Sequence, residues 1–185
     1  MGAVVTDLEG RLLSRGRNRI FEDEGPPGSL YGHRLAHAEM NALVALERRR
    51  ADRVECVLYT TTEPCPLCTG AIRQYGVREV FYASRDPAGG SIELLRASPF
   101  MRRRLIWVVG PQERELEVVI MALHTEFFLK VRPMSPEWWL FQAWESVVPE
   151  GIQLGETLAE SGELGRMAAE GASVSEVVER LVASS

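Results

Sequence analysis

The chain has 185 residues, 45% of them hydrophobic, with 21 lysines and arginines against 26 aspartates and glutamates and a sequence pI near 5.4. This length supports one sizeable core, and the acidic balance argues against a domain that grips nucleic acid through a basic excess. No apolar run approaches a membrane span, Asp7 and Glu9 interrupt the N-terminal segment, and three cysteines suit a reducing compartment, so the expected location is cytoplasmic with no membrane partner.

In chain order, Gly2 to Thr6 and Arg11 to Arg17 read as strands joined by a turn at Asp7-Leu8-Glu9-Gly10. A loop of eighteen residues follows, Arg19 to Ala36, with the acidic Pro/Gly stretch Glu22-Asp23-Glu24-Gly25-Pro26-Pro27-Gly28 inside it. From His37 through Glu47 the run is rich in helix formers, which places His37 and Glu39 at a helix start. Arg53 to Thr61 is a third strand. A helix over Cys68 to Tyr75 is then expected, with proline before it and Gly76 just past its end. Arg78 to Ser84 is a fourth strand, a short helix lies near Ser91 to Ala97, and Leu105 to Val109 is a fifth strand. Pro111 opens a long amphipathic segment reaching Leu129. Strands alternating with helices of this size indicate an α/β sheet covered on both faces.

After Lys130 the composition changes. Met134 to Trp144 holds three of the four tryptophans, with Ser135 and Pro136 as a helix start. Packing or a dimer contact is a better reading of these rings than stacking on a base. Ala172 to Val182 has the pattern of an amphipathic helix with Ser173 and Glu176 at capping-box spacing. Seven acids and two bases lie at or beyond Glu150, leaving nineteen of each before it, so the tail accounts for the whole formal charge. The expected organisation is a core over residues 1–130 and a helical extension over 131–185, packed on the core or on a partner subunit. The basic runs Arg48 to Arg50 and Arg102 to Arg104 read as solvated surface.

The chemistry concentrates in two short motifs, His37-Ala38-Glu39 and, after twenty-four intervening residues, Pro64-Cys65-Pro66-Leu67-Cys68. One imidazole and two thiolates supply three ligands to a zinc ion that takes four, so a position stays open for water. Structural zinc usually fills all four positions with protein ligands, and the remaining cysteine, Cys56, sits in a strand-like run without a C-x-x-C partner. The motifs thus read as a catalytic site, with Glu39 as its acid-base group. His33, four residues before His37, reads as a pocket-wall or exposed histidine, and His124 as structural.

At these residues the chain resembles the zinc-dependent cytidine and deoxycytidylate deaminase superfamily, closest to its tRNA adenosine deaminase and guanine or cytosine deaminase branch. The resemblance runs from about Gly2 to Leu129 and includes Thr62-Glu63-Pro64-Cys65-Pro66-Leu67-Cys68, Ala83-Ser84-Arg85-Asp86 and Gly89-Gly90-Ser91. It implies a three-layer α/β/α fold around a five-stranded mixed sheet, to which this chain adds its helical C-terminal extension. It also implies Zn2+ held by His37, Cys65 and Cys68, proton transfer by Glu39, and substrate contacts from Asn18 and the backbone amide of Ala38. A homodimer is a further implication. Superfamily members generally carry a helix before the first strand, whereas this sequence opens almost on the strand. Either the true start lies upstream or the C-terminal segment covers that apolar surface.

The reading that follows is a zinc-dependent hydrolytic deaminase of a free nucleobase or nucleoside, releasing ammonia. The acidic loop before His37 and the acidic tail favour such a small molecule over a phosphate backbone. A tRNA adenosine deaminase is one alternative. A non-catalytic zinc-binding interaction module, using the tryptophan-rich segment to hold a partner, is another.

Overall fold

A computed structural model describes residues 1–46, 55–130 and 138–183. Glu47, Arg48 to Arg50, Arg53, Val54, and Met134 to Glu137 with the Ser135-Pro136 helix start lie outside the described residues.

Among the described residues, five strands form one mixed sheet in the order β2-β1-β3-β4-β5: β1 Gly2–Asp7, β2 Leu12–Arg17, β3 Cys56–Thr62, β4 Glu79–Ser84 and β5 Trp107–Val109. β1 pairs antiparallel with both β2 and β3, while β4 and β5 run parallel. The β1–β2 turn closes where Gly10 N donates to Asp7 O at 3.1 Å, with Gly10 at φ 80°, a left-handed conformation that suits glycine. β5 is shorter than the apolar run Leu105 to Val109 suggested. It lies at the edge of the sheet with all three residues exposed.

The chain divides into two compact units. The first comprises Met1–Tyr82 and Gly89–Gly110. Its core joins Val5, Leu58 and Val80 of the strands to Ala38, Ala42 and Leu43 of helix α1 (Ala38–Val44) and Ile72 of helix α2 (Pro66–Tyr75). α1 comes close to β2 because Gly16 has no side chain: a Cβ there would stand 2.3 Å from both Ala38 O and Ala42 N. Ser14 Oγ adds a buried hydrogen bond to Ala42 O at 2.7 Å. The expected start of the second helix shifts slightly. Pro66, not a residue before Cys65, occupies its first turn, Cys65 is the N-cap, and Gly76 ends it at φ 89°. A 3₁₀ helix, Ile92–Arg96, and the one-turn α3, Pro99–Arg102, complete this unit. Buried Arg73 of α2 holds that segment through bonds to Phe100 O and Met101 O, its guanidinium 4.5 Å from the Phe100 ring centroid.

The second unit comprises Ala83–Ala88 and Pro111–Ser185. Its described helices are α4 Arg114–Lys130, α5 Trp139–Glu145, α6 Pro149–Ser161, α7 Glu163–Ala169 and α8 Val174–Val182. Val119, Ala122, Leu158 and Leu181 bring α4, α6 and α8 together. α8 carries the capping box expected at Ser173 and Glu176. The tryptophan-rich segment packs here: Trp144 and Phe141 are buried, and Trp144 lies 5.7 Å, centroid to centroid, from Phe128 and from His124. Burial holds the His124 imidazole neutral, with its pKa lowered to about 3. No helix among the described residues is long and apolar enough to cross a membrane.

Candidate active site

Both halves of the site stand at helix starts in the first unit. His37 is the N-cap residue of α1 and Cys65 that of α2, both with extended backbone, and neither uses its side chain as a cap. Their side chains are therefore available for other work. Cys68 follows within the first turn of α2 and is fully buried. The turn leading into α2 is pinned from two sides: Ser91 N donates to Pro64 O at 2.9 Å, and Thr69 Oγ1 donates to the same oxygen at 3.2 Å.

The three proposed ligands converge. His37 Nδ1 lies 3.5 Å from Cys65 Sγ and 3.5 Å from Cys68 Sγ, and one donor atom from each of the three residues falls within 4.8 Å of the others. Zinc bonds of ~2.0–2.1 Å to imidazole and ~2.3 Å to thiolate, at tetrahedral angles, give a nitrogen-to-sulfur edge of about 3.5 Å. The donor set fits this metal in both chemistry and spacing, and His37, Cys65 and Cys68 can hold it. His33 is outside the cluster. It is exposed, and its Nδ1 accepts a bond from Leu35 N at 3.2 Å.

The two thiols shift one another in opposite directions. A hydrogen bond from Cys68, aided by His37, lowers Cys65 to about 4. Cys68, as the donor and buried, is pushed up. The interaction with Cys65 raises the His37 imidazole. A metal cation at the centre of the three favours the deprotonated form of both sulfurs.

Glu39 lies in the first turn of α1, 5% exposed. Burial pushes its carboxyl above the usual carboxylate range. Its Oε1 accepts from Thr60 Oγ1 of β3 at 2.8 Å, and its Oε2 lies 3.4 Å from Cys68 Sγ. The carboxyl is thus held at one oxygen while the other faces the ligand cluster. Ala38 is fully buried, and as the first residue of α1 its N–H has no partner within the helix. Asn18 stands at the end of β2, its Oδ1 accepting from Ile20 N at 3.0 Å in a local turn and its Nδ2 3.8 Å from the Met1 sulfur. Two polar residues escaped the sequence reading. Thr60 was legible from strand alternation, since Leu58, Thr60 and Thr62 share a buried face. Asn41, 4% exposed, was legible as a polar residue within a buried helical pattern.

Residues 1–84 match the model of the cytidine and deoxycytidylate deaminase zinc-binding region. The tRNA-specific adenosine deaminase of Aquifex aeolicus is 30% identical over 137 residues, covering 71% of this chain and 82% of that protein. The guanine deaminase of Bacillus subtilis is 34% identical over 90 residues, covering 45% of this chain and 49% of its own. The tRNA(Ile)-lysidine synthase of Deinococcus radiodurans is 33% identical over 94 residues, of which the match spans 50% of this chain and only 15% of that protein. Among solved structures, a tRNA:A34 deaminase of the wobble position superimposes with a TM-score of 0.52 at 29% identity, covering 64% of this chain and 83% of that one.

Proposed function

Because the chain belongs to the cytidine and deoxycytidylate deaminase family, we propose that it is a zinc-dependent hydrolytic deaminase of a free nucleobase or nucleoside. The observation that carries this reading is the convergence of His37 Nδ1, Cys65 Sγ and Cys68 Sγ beside a buried carboxyl group whose Oε2 faces them. His37, Cys65 and Cys68 would hold the zinc, which would supply an acidified water as the attacking oxygen at neutral pH. Glu39 would carry the first proton of the attacking water to the ring nitrogen and the second to the departing amine, so that ammonia leaves and a carbonyl remains. The Ala38 N–H and the Asn18 side chain orient the base. Asp23 and Glu24, exposed on the loop that ends at His37, disfavour a phosphate-bearing substrate. Residues 1–130 form the deaminase core in this reading, and the helices beyond serve as an extension.

Ammonia release from guanine, cytosine, adenine and their nucleosides tests the proposal directly. Glu39→Gln is expected to lower kcat by about 10²–10⁴-fold with one zinc per chain retained. A wild-type rate in that variant sinks the mechanism.

A second reading, a tRNA adenosine deaminase, is favoured by the 82% coverage of the Aquifex aeolicus relative. It requires an anticodon stem-loop to bind and to release the protein as salt rises, with a slope of log K against log [salt] near −0.7 to −0.9 per phosphate contact. Absence of binding at low salt removes it. Full zinc loading with no turnover of any amino-substituted base supports the non-catalytic module.

A further inference from the structure

Asn41 lies on α1 two residues beyond Glu39, yet all three of its side-chain bonds reach away from the helix. Its Oδ1 accepts from Leu30 N at 2.7 Å, and its Nδ2 donates to Leu30 O at 3.0 Å and to Arg17 O at 3.0 Å. The two bonds to Leu30 reproduce, with a side-chain amide, the paired exchange between neighbouring β-strands. They capture the loop near its middle. The third bond ties the same amide to the end of β2, next to Asn18.

Other bonds fasten the loop to itself and to its own base. Arg19 N donates to Ala36 O at 2.8 Å, which brings its ends together beside His37, and Gly32 N donates to Arg19 O at 3.0 Å. Arg17 and Arg19 both pair with Glu22. Gly25 packs so closely that a Cβ there would meet Ser29 Oγ and the Tyr31 ring at 2.6 Å. Among these contacts, Asn41 is the link from the loop to the helix that carries Glu39. A buried amide with both polar atoms engaged is costly to release, because each atom would lose its partner without gaining water in place.

We propose that Asn41 is a positioning residue that latches the 19–36 loop to α1 and makes it a fixed wall of the site, selecting bases and nucleosides that fit beside His37. The selectivity part rests on the deaminase reading; the latch itself does not.

Asn41→Asp tests this with little change of volume: it keeps an acceptor for Leu30 N and sets a carboxylate oxygen against two carbonyls. Ser14→Ala is the control, since it removes the bond to Ala42 O on the same helix without touching the loop. The zinc-loaded chain of 185 residues is digested briefly with trypsin, without substrate, and cleavage after Arg19 and Arg34 is followed by mass spectrometry. Asn41→Asp is expected to be cut in the loop at least about tenfold faster than wild type or Ser14→Ala, with zinc content retained. Equal rates in wild type and Asn41→Asp overturn the latch. Should Asn41→Asp fail to fold, hydrogen exchange in the wild-type chain decides: a protected Leu30 amide supports the latch, and exchange as fast as at Glu24 overturns it.

With guanine and cytosine as probes, Asn41→Asp is expected to raise KM by about tenfold or more while kcat stays within about threefold. A fall in kcat at unchanged KM overturns the selective wall. If the wild type deaminates neither base, the function proposed for these substrates fails while the digestion still decides the latch.

Discussion

Two buried carboxyl groups of this chain are driven in opposite directions by what surrounds them. Glu39 meets a hydroxyl and a thiol, neither of which compensates for lost hydration of a charge, and burial raises its pKa. A raised value suits the proton-carrying role proposed for this group near neutrality. Glu117 of α4 is as deeply buried, but Arg85 grips it through Nε to Oε1 and Nη2 to Oε2, each at 2.8 Å, while Arg114 Nη1 reaches Oε2 at 3.0 Å. Burial alone would push Glu117 up; the two guanidiniums outweigh it and hold the carboxyl below its ordinary range. A carboxylate whose folded pKa is depressed contributes stability above its unfolded pKa of about 4.3, and that contribution is lost as pH falls through the folded value. Glu117→Gln is therefore expected to destabilise the chain at pH 7 by about 1–3 kcal/mol and to flatten the acid limb of its stability curve. Urea denaturation between pH 3 and pH 7 measures both. An unchanged acid limb would show that Glu117 is not a source of the acid sensitivity.

At the level of elements, the placement of α1 decides the geometry of the site, because one helix carries Ala38, Glu39 and Asn41 and takes His37 as its cap. Gly16 sets that placement. A methyl group there must push against the backbone of α1, which cannot rotate aside as a side chain can. Gly16→Ala is expected to cost about 1–3 kcal/mol or more and to weaken zinc binding by shifting His37 away from α2, which thermal denaturation and metal content together would show. Retention of both at wild-type levels would mean that β2 yields without moving the helix. The requirement at Gly16 could not be read from the sequence, where it stands simply as a small residue in a strand. The strands and α1 were legible because apolar alternation and helix formers act locally, and the clustering of His37, Cys65 and Cys68 because their types and spacing are uncommon together. Asn41 was hidden for the opposite reason: its three bonds reach Leu30, 11 residues away in a loop with no periodic pattern, and Arg17, 24 residues away at the end of β2. β5 was overextended because Leu105 and Ile106 are apolar like their neighbours, while pairing with β4 begins at Trp107.

Across the whole molecule, the three proposed ligands tie the proposed function to stability. His37 and Cys65 begin two different helices, separated by strand β3 in sequence, so a metal that binds all three ligands stabilises an arrangement the unfolded chain does not keep. Binding confined to the folded state adds stability by mass action, about 4 kcal/mol when free zinc exceeds its dissociation constant a thousandfold. The buried Cys68 thiol, the Cys65 sulfur and the raised Glu39 carboxyl lie close to one another and to His37. Chelation by 1,10-phenanthroline is thus expected to lower Tm by several degrees and to stop ammonia release, with both restored by added zinc. Cys65→Ser should start from the lowered Tm and barely respond to the chelator, whereas Cys56→Ser, which alters a buried cysteine outside the ligand cluster, should respond like wild type. Scanning calorimetry of the three proteins with and without chelator separates the metal's contribution from the cost of changing a buried cysteine. A wild-type Tm indifferent to chelator, at a zinc content shown to fall, would mean that the site is fully preorganised by the sheet and the helices and that the metal serves the chemistry alone.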